Sequence, residues 1–286
     1  MNASRVVVGV DGSPLARTAV LQAAHLAATR HLSLRILHAF APDLPMLGFG
    51  EIGDRTLVTE HGRTLLRRAA ALAHAAHPGL EVTTSLTDGF ASQALISASR
   101  RAELVVVGAV GHSIQSRASL GAVAMQVLTH ASSPVLVVGH ESSASPAPGS
   151  RVLVGVDGSP CSLEALRAAI HEAAVLDGVV EVVHAWQARG TQDPTLASTS
   201  SWEDYTAEIQ RRVDGVVAAG RDRHPDPKVE VNVVRQDPVR ALTSRSAAAA
   251  LVVVGSRGSG GFEGLHVGST TLRLVGAAAC PTLVIR

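Results

Sequence analysis

The sequence predicts an α/β protein made of two doubly wound, five-stranded parallel-sheet domains in tandem. Three observations carry this reading. The chain is written twice: Ser4–Pro14 reads SRVVVGVDGSP and Ser150–Pro160 reads SRVLVGVDGSP, differing only where Val7 becomes Leu153. Its short Val-rich runs, such as VVVGV and LVVVG, are apolar without polar alternation, the mark of strands covered on both faces. These runs alternate with longer Ala/Leu/Arg-rich stretches of helical character, the order that gives parallel sheets.

The elements follow in order. In the first copy, strands are expected at Arg5–Val10, Leu32–Phe40, Leu80–Leu86, Leu104–Gly108 and Pro134–Val138. Helices are expected at Pro14–Arg30, Arg55–Ala76, Ala91–Arg101 and Leu120–Ala131. In the second copy the strands fall at Val152–Val156, Val179–Trp186, Val229–Arg235, Leu251–Gly255 and Thr282–Ile285. Ser13-Pro14 and Ser159-Pro160 each place a capping hydroxyl before a proline, so a helix opens after the first strand of each copy. The repeat continues through LRILHAF (Leu34–Phe40) and VEVVHAW (Val180–Trp186), then ELVVVGAVG (Glu103–Gly111) and ALVVVGSRG (Ala250–Gly258). It closes with SSPVLVV (Ser132–Val138) and ACPTLVI (Ala279–Ile285). Between the copies, HESSASPAPG at His140–Gly149 has linker composition, which sets domains at 1–140 and 150–286.

Composition narrows the function. The 286 residues carry 25 Lys+Arg against 24 Asp+Glu, a net charge of +1, so electrostatics gives no case for nucleic acid or an anionic membrane as partner. Aromatic residues make up only 2%, which argues against base-stacking platforms for single strands. No apolar run approaches the ~20 residues that span a bilayer. Met1–Arg5 leads into Val6–Val8 without a signal-peptide pattern, and two cysteines are no disulfide framework. A soluble, cytoplasmic protein is expected.

In doubly wound sheets the ligand sits beyond the carboxyl ends of the strands. Gly9 and Asp11, and Gly155 and Asp157, lie at or just past the ends of the first strands, while Gly108 and Gly255 close the fourth. The loop after Gly255 runs GSRGSGGFEGLHVGSTT. Its Gly255, Gly258, Gly260 and Gly261 let backbone amides, including that of Arg257, come close to an anion. Gly268-Ser269 then opens a helix whose first N–H groups favour phosphate, with a hydroxyl from Ser269 or Thr270 as a further donor.

The spacing Gly255-x2-Gly258-x9-Gly268-Ser269, with the opening VGVDGS and the closing CPTLVI, resembles the nucleotide-binding pattern of the universal stress protein family. The resemblance covers both halves and is to tandem members of the ATP-binding subclass. It implies sheets of order 3-2-1-4-5, bound ATP or AMP with Mg²⁺, and a regulatory role under stress. It also implies pairing of the two halves through their last strands as an intramolecular pseudo-dimer, which could pair again as a homodimer. By the same resemblance, Asp11 and Asp157 sit by the nucleotide, where they engage ribose or a metal. Ala39 and Ala185 line the adenine, and Gly255, Gly258, Gly268 and Ser269 hold the phosphates. The first copy keeps Gly108, Gly111 and Gly121 but has Ala122 where a hydroxyl residue is expected, so its site is the weaker one.

Other groups carry less. His74 and His77 stand at helical spacing, but nothing completes a metal set; His38 and His184 recur at a strand end, where a structural role is favoured. Cys161 and Cys280 fall at opposite edges of a sheet, too far apart to pair. Arg67-Arg68 and Arg211-Arg212 read as solvated helix faces. Ala41–Asp54 and Gln187–Ser201 read equally as flaps over a nucleotide or as long connections. The chain lacks the GxxxxGK(S/T) lysine of P-loop enzymes and the Gly-x-Ser-x-Gly nucleophile elbow. A nucleotide-binding regulator is therefore favoured over a slow Mg-dependent ATPase or phosphotransferase using Asp157. An adenine-binding flavoprotein subunit is a third reading, one that requires a yellow protein.

Overall fold

The computed structural model describes residues 4–40, 55–111, 120–139, 142, 146–147, 149–186, 202–220, 227–260 and 266–286. The chain divides into two compact units, Met1–Ser145 and Pro146–Arg286.

In the first unit, β1 (Arg5–Gly9), β2 (Ser33–Phe40), β3 (Val82–Asp88), β4 (Leu104–Gly108) and β5 (Val135–Val138) form a sheet of order β3-β2-β1-β4-β5. All of its pairings are parallel. The helices are α1 (Pro14–Thr29), α2 (Arg55–Ala76), α3 (Ala91–Ser99) and α4 (Ala122–His130). Right-handed crossovers from a central first strand carry α1 and α2 to one face and α3 and α4 to the other. Accordingly α1 packs on α2, and α3 on α4. The Val triplet Val6–Val8 has no exposed surface, because both faces of β1 lie under helices.

The second unit repeats the plan. β6 (Arg151–Gly155), β7 (Val179–Ala185), β8 (Lys228–Val234), β9 (Leu251–Gly255) and β10 (Thr282–Ile285) take the order β10-β9-β6-β7-β8, again parallel. Its described helices are α5 (Pro160–Val175), α6 (Trp202–Gly220), α7 (Pro238–Ser246) and α8 (Ser269–Ala277). Counted from its own first strand, each unit has order 3-2-1-4-5, as the resemblance implies.

Local chemistry sets the boundaries. The Ser13 hydroxyl accepts the Ala16 amide at 3.1 Å, and Ser159 accepts that of Ser162 at 3.3 Å, each ahead of a proline. Both first helices end on a non-glycine residue in the left-handed region, His31 at φ 55° and Asp177 at φ 48°. Most strands move by a residue or less from the sequence reading. The third strand moves two, from Leu80–Leu86 to Val82–Asp88. Leu80 is apolar because it is buried, but its amide closes a turn on the His77 carbonyl at 3.0 Å instead of joining the ladder. The fourth helix starts at Ala122 and not at Leu120, with Gly121 as its N-cap. No described helix is long and apolar enough to cross a membrane.

Candidate functional site

Parallel strands bring every carboxyl end of a unit to one edge, and the crevice falls where the order reverses beside the first strand. In the second unit the loop after β6 carries Asp157 and the loop after β9 carries Gly258. The two loops meet. Asp157 Oδ1 accepts the Ser159 amide at 3.0 Å and the Ser159 hydroxyl at 2.6 Å, while Oδ2 accepts the Ser259 amide at 2.7 Å. A Cβ on Gly258 would stand 2.5 Å from the same Oδ2, so only glycine lets the carboxylate lie there. Partial burial pushes the Asp157 carboxyl up, but hydrogen bonds from the Ser159 hydroxyl, the Ser259 and Ser159 amides and the Ser162 hydroxyl outweigh it and hold it below the ordinary carboxylate range.

The start of α8 closes the other side. Gly268 is its N-cap, with φ −71° and ψ 151° and no capping side chain, and its own amide bonds the Ser256 carbonyl at 2.7 Å. A Cβ on Gly268 would lie 3.8 Å from the Gly258 nitrogen, which measures how near the loop and the helix start approach. The buried Thr271 hydroxyl donates to the Gly255 carbonyl at 2.9 Å and fixes the first turn of α8 to the end of β9. Ser269 is exposed and Thr270 half-buried beside it. Arg257 is exposed, and its carbonyl oxygen lies 3.5 Å from Ser159 Oγ. Among the described residues nothing lies within 4 Å of a Cβ on Gly260. Gly261 lies outside the described residues.

The first unit shows the same frame. Asp11 Oδ1 accepts the Ser13 amide at 2.9 Å, and a Cβ on Gly111 would stand 2.6 Å from Asp11 Oδ2. Gly121 caps α4 at φ −68° and ψ 156°, its amide bonded to the Ala109 carbonyl at 2.7 Å. The next residue is Ala122, exposed and without a hydroxyl.

Several predicted site glycines also have packing partners. Side chains at Gly9 and Gly155 would run into Leu95 and Leu242, each at 2.9 Å. At Gly255 a Cβ would meet the Cys161 carbonyl carbon at 2.8 Å, and at Gly108 it would meet Leu15 Cβ at 3.2 Å. Ala39, next to last in β2, and Ala185, last in β7, are half-buried at the carboxyl edge, paired with Thr87 and Val234.

The His-Ala pairs that recur in the two halves have a structural task. His38 Nδ1 and His184 Nδ1 each lie 2.7 Å from a carbonyl, of Val10 and Val156. His184 Nε2 meets the Tyr205 hydroxyl at 2.6 Å. Burial, first, and the nearby Arg212 hold His184 below the ordinary histidine range against the opposing pull of the Val156 carbonyl and Asp157. A neutral ring that donates to Val156 through Nδ1 must then accept from Tyr205 through Nε2. Tyr205, Trp186 and Trp202 form one cluster, with ring centroids 5.7 to 6.4 Å apart and the Arg235 guanidinium 4.2 Å over Trp202. The sequence reading missed this cluster. Its signal was the placement of three of the seven Phe, Trp and Tyr residues at one strand end and one helix start.

Arg211 and Arg212 both pair with Glu208 at 2.8 Å on the exposed face of α6, as a solvated face should. Yet an Arg212 Nη1 also stands 3.4 Å from where a Gly158 Cβ would be, beside the Asp157 loop. Both cysteines are free thiols. Among the described residues no group of three His, Cys, Asp or Glu side chains is placed to hold a metal ion. The segments read as flaps or connections, 41–54 and 187–201, lie outside the described residues.

Comparison with known proteins follows the same division. The model of the Universal stress protein family matches residues 2–139 and again 150–286. Universal stress protein Rv1996 of Mycobacterium tuberculosis is 32% identical over 301 residues, spanning 98% of this chain and 94% of that protein. A crystal structure of a universal stress protein from Archaeoglobus fulgidus superposes with a TM-score of 0.72 at 21% identity, covering 100% of this chain and 97% of that one. A universal stress protein crystallised in complex with cAMP aligns with 48% of this chain and 98% of its own, at 29% identity and a TM-score of 0.37. With the duplicated fold, the paired loops and two family matches spanning its length, the chain belongs to the universal stress protein family.

Proposed function

We propose that the protein is an ATP-binding regulator of the stress response, holding nucleotide at the carboxyl edge of each sheet and more tightly in the second unit. The observation that carries this is the closeness of the Gly258 backbone to the uncapped start of α8. The Gly258 nitrogen and the positive end of a helix dipole lie close together there, an arrangement suited to phosphate. Open space at Gly260 and the exposed Ser269 hydroxyl suit it as well. Ala185 and Ala39 leave room for a flat base at the ends of β7 and β2. The residues therefore fit ATP or AMP, and Mg²⁺ would arrive with the phosphates.

Binding is favoured over hydrolysis by the state of Asp157. A general base works best with a pKa near the operating pH. The Asp157 carboxyl is held below the ordinary carboxylate range and already accepts three hydrogen bonds.

The test is to identify nucleotide released from the purified, denatured protein by HPLC and mass spectrometry, then to titrate ATP calorimetrically. Adenine nucleotide should be found, and Asp157→Ala and Gly258→Val should each weaken binding while the far-ultraviolet circular dichroism stays unchanged. Parental ATP binding by both variants, or no adenine nucleotide bound at any concentration, overturns the reading.

A further inference from the structure

We infer that Asp157 is a positioning residue: its two carboxylate oxygens latch the loop after β6 to the loop after β9, and so hold the backbone of Gly258 against the amino end of α8. That this backbone is the part presented to phosphate rests on the function proposed above; the latch itself does not.

The chemistry requires a carboxylate. Oδ1 is engaged by the Ser159 amide and hydroxyl at 3.0 and 2.6 Å within its own loop. Oδ2 is engaged by the Ser259 amide at 2.7 Å, across 102 residues of sequence. Both oxygens must accept, because each faces a backbone N–H, of Ser159 or of Ser259, that cannot reverse its role as the Ser159 hydroxyl can. An asparagine offers one acceptor and one donor, so whichever way its amide turns, one of the two loops loses its bond. Glycine at 258 is the second half of the device. With its Cβ position 2.5 Å from Oδ2, any side chain there would drive the carboxylate away from Ser259.

The first unit supplies an independent instance. Asp11 Oδ1 accepts the Ser13 amide at 2.9 Å, and Oδ2 lies 2.6 Å from the Cβ position of Gly111. Two carboxylates in two units therefore reach from the first loop to the glycine of the fourth. This sets Gly111 and Gly258 apart from Gly260, whose missing Cβ faces open space. The glycine of the loop is needed for the aspartate before it is needed for any ligand.

The latch is tested on the full-length ¹⁵N-labelled protein, freed of any bound nucleotide, by amide hydrogen exchange at single residues. The Val253 and Val254 amides in β9 serve as internal standards. In Asp157→Asn, exchange at Ser259 or at Ser159 should quicken on the order of tenfold or more, the loss expected for a hydrogen bond to a charged acceptor. Gly258→Ala keeps the charge but displaces Oδ2, so it should quicken Ser259 alike. Gly260→Ala should leave Ser259 as in the parent. Unchanged exchange at both serines in Asp157→Asn, or at Ser259 in Gly258→Ala, overturns the latch. So does a rise at Val253 and Val254 by the same factor, which would mark a general loss of stability. Because nucleotide plays no part in the measurement, failure to bind ATP would overturn the proposed function and leave the latch standing.

Discussion

His184 and Tyr205 share a buried hydrogen bond, Nε2 to hydroxyl at 2.6 Å, that ties the end of β7 to the first turns of α6. The imidazole is also bound through Nδ1 to the Val156 carbonyl at 2.7 Å, one residue before Asp157. One neutral ring thus joins the site loop, a central strand and the outer helix.

Tyr205→Phe keeps the ring but removes the donor, leaving a buried nitrogen unsatisfied at a cost of about 1–3 kcal/mol. Thermal unfolding should show a lower Tm. The pH dependence has a definite sign. Burial lowers the His184 pKa in the folded protein, so the unfolded chain, with a value of about 6.5, takes up a proton first. Stability from this group is complete above that pH and declines as pH falls below it. Parent Tm should therefore drop between about pH 7.5 and 5.5, and His184→Gln should flatten that drop. An equal drop in both proteins would remove His184 from the account.

The two proposed nucleotide sites should differ by one hydroxyl. Helices α4 and α8 start from glycine N-caps of nearly the same geometry, φ −68° and ψ 156° against φ −71° and ψ 151°. What differs at the next position is Ala122 against Ser269. A hydrogen bond to a charged group is worth about 1.5–3 kcal/mol, or roughly ten- to hundredfold in affinity. Ser269→Ala should weaken the tighter site by that factor, and Ala122→Ser should strengthen the weaker one. Calorimetry that finds two equal sites in the parent contradicts the assignment.

The frame of these sites was legible in the sequence because it rests on local signals. Continuous Val runs mark buried strands, Ser-Pro pairs mark helix starts, and the duplication marks two units. Strand limits were less legible because pairing sets them: Asp88 is polar yet stands in register with Phe40, while apolar Leu80 serves a turn. Spacing also found Gly255 and Gly258 without distinguishing them. A motif shows that a Cβ is missing but not what that Cβ would strike, which is the Cys161 backbone in one case and the Asp157 carboxylate in the other. Tyr205 was missed for a related reason, since its partner lies 21 residues away in sequence and no periodicity links the two.

The two thiols should behave differently. Burial pushes the Cys280 thiol up to about 12, so almost none of it is thiolate at neutral pH. Cys161 is half-buried in the first turn of α5. A disulfide-exchange reagent at pH 8 should titrate at most one thiol in the native protein and two in denaturant. Cys161→Ser should abolish the native reaction; a thiol still reactive in that variant would place Cys280 at the surface.

The glycines of the carboxyl edge should separate by what their absent Cβ would meet. At Gly255 the obstacle is backbone, the Cys161 carbonyl carbon at 2.8 Å and its oxygen at 2.9 Å. Backbone held in a helix start cannot rotate aside, so Gly255→Ala must part β9 from α5 and should cost at least the 1–3 kcal/mol typical of overpacking, roughly. At Gly9 and Gly155 the obstacles are the methyl ends of Leu95 and Leu242, both at 2.9 Å, which can change rotamer. Alanine there should cost less. At Gly260 nothing among the described residues lies within 4 Å, so Gly260→Ala should leave Tm unchanged. Tm should therefore fall most for Gly255→Ala, less for Gly9→Ala and Gly155→Ala, and not at all for Gly260→Ala. If Gly260→Ala nonetheless weakens ATP binding, that glycine serves the ligand alone. If Gly255→Ala melts with the parent, the close approach of β9 to α5 is not what requires glycine there.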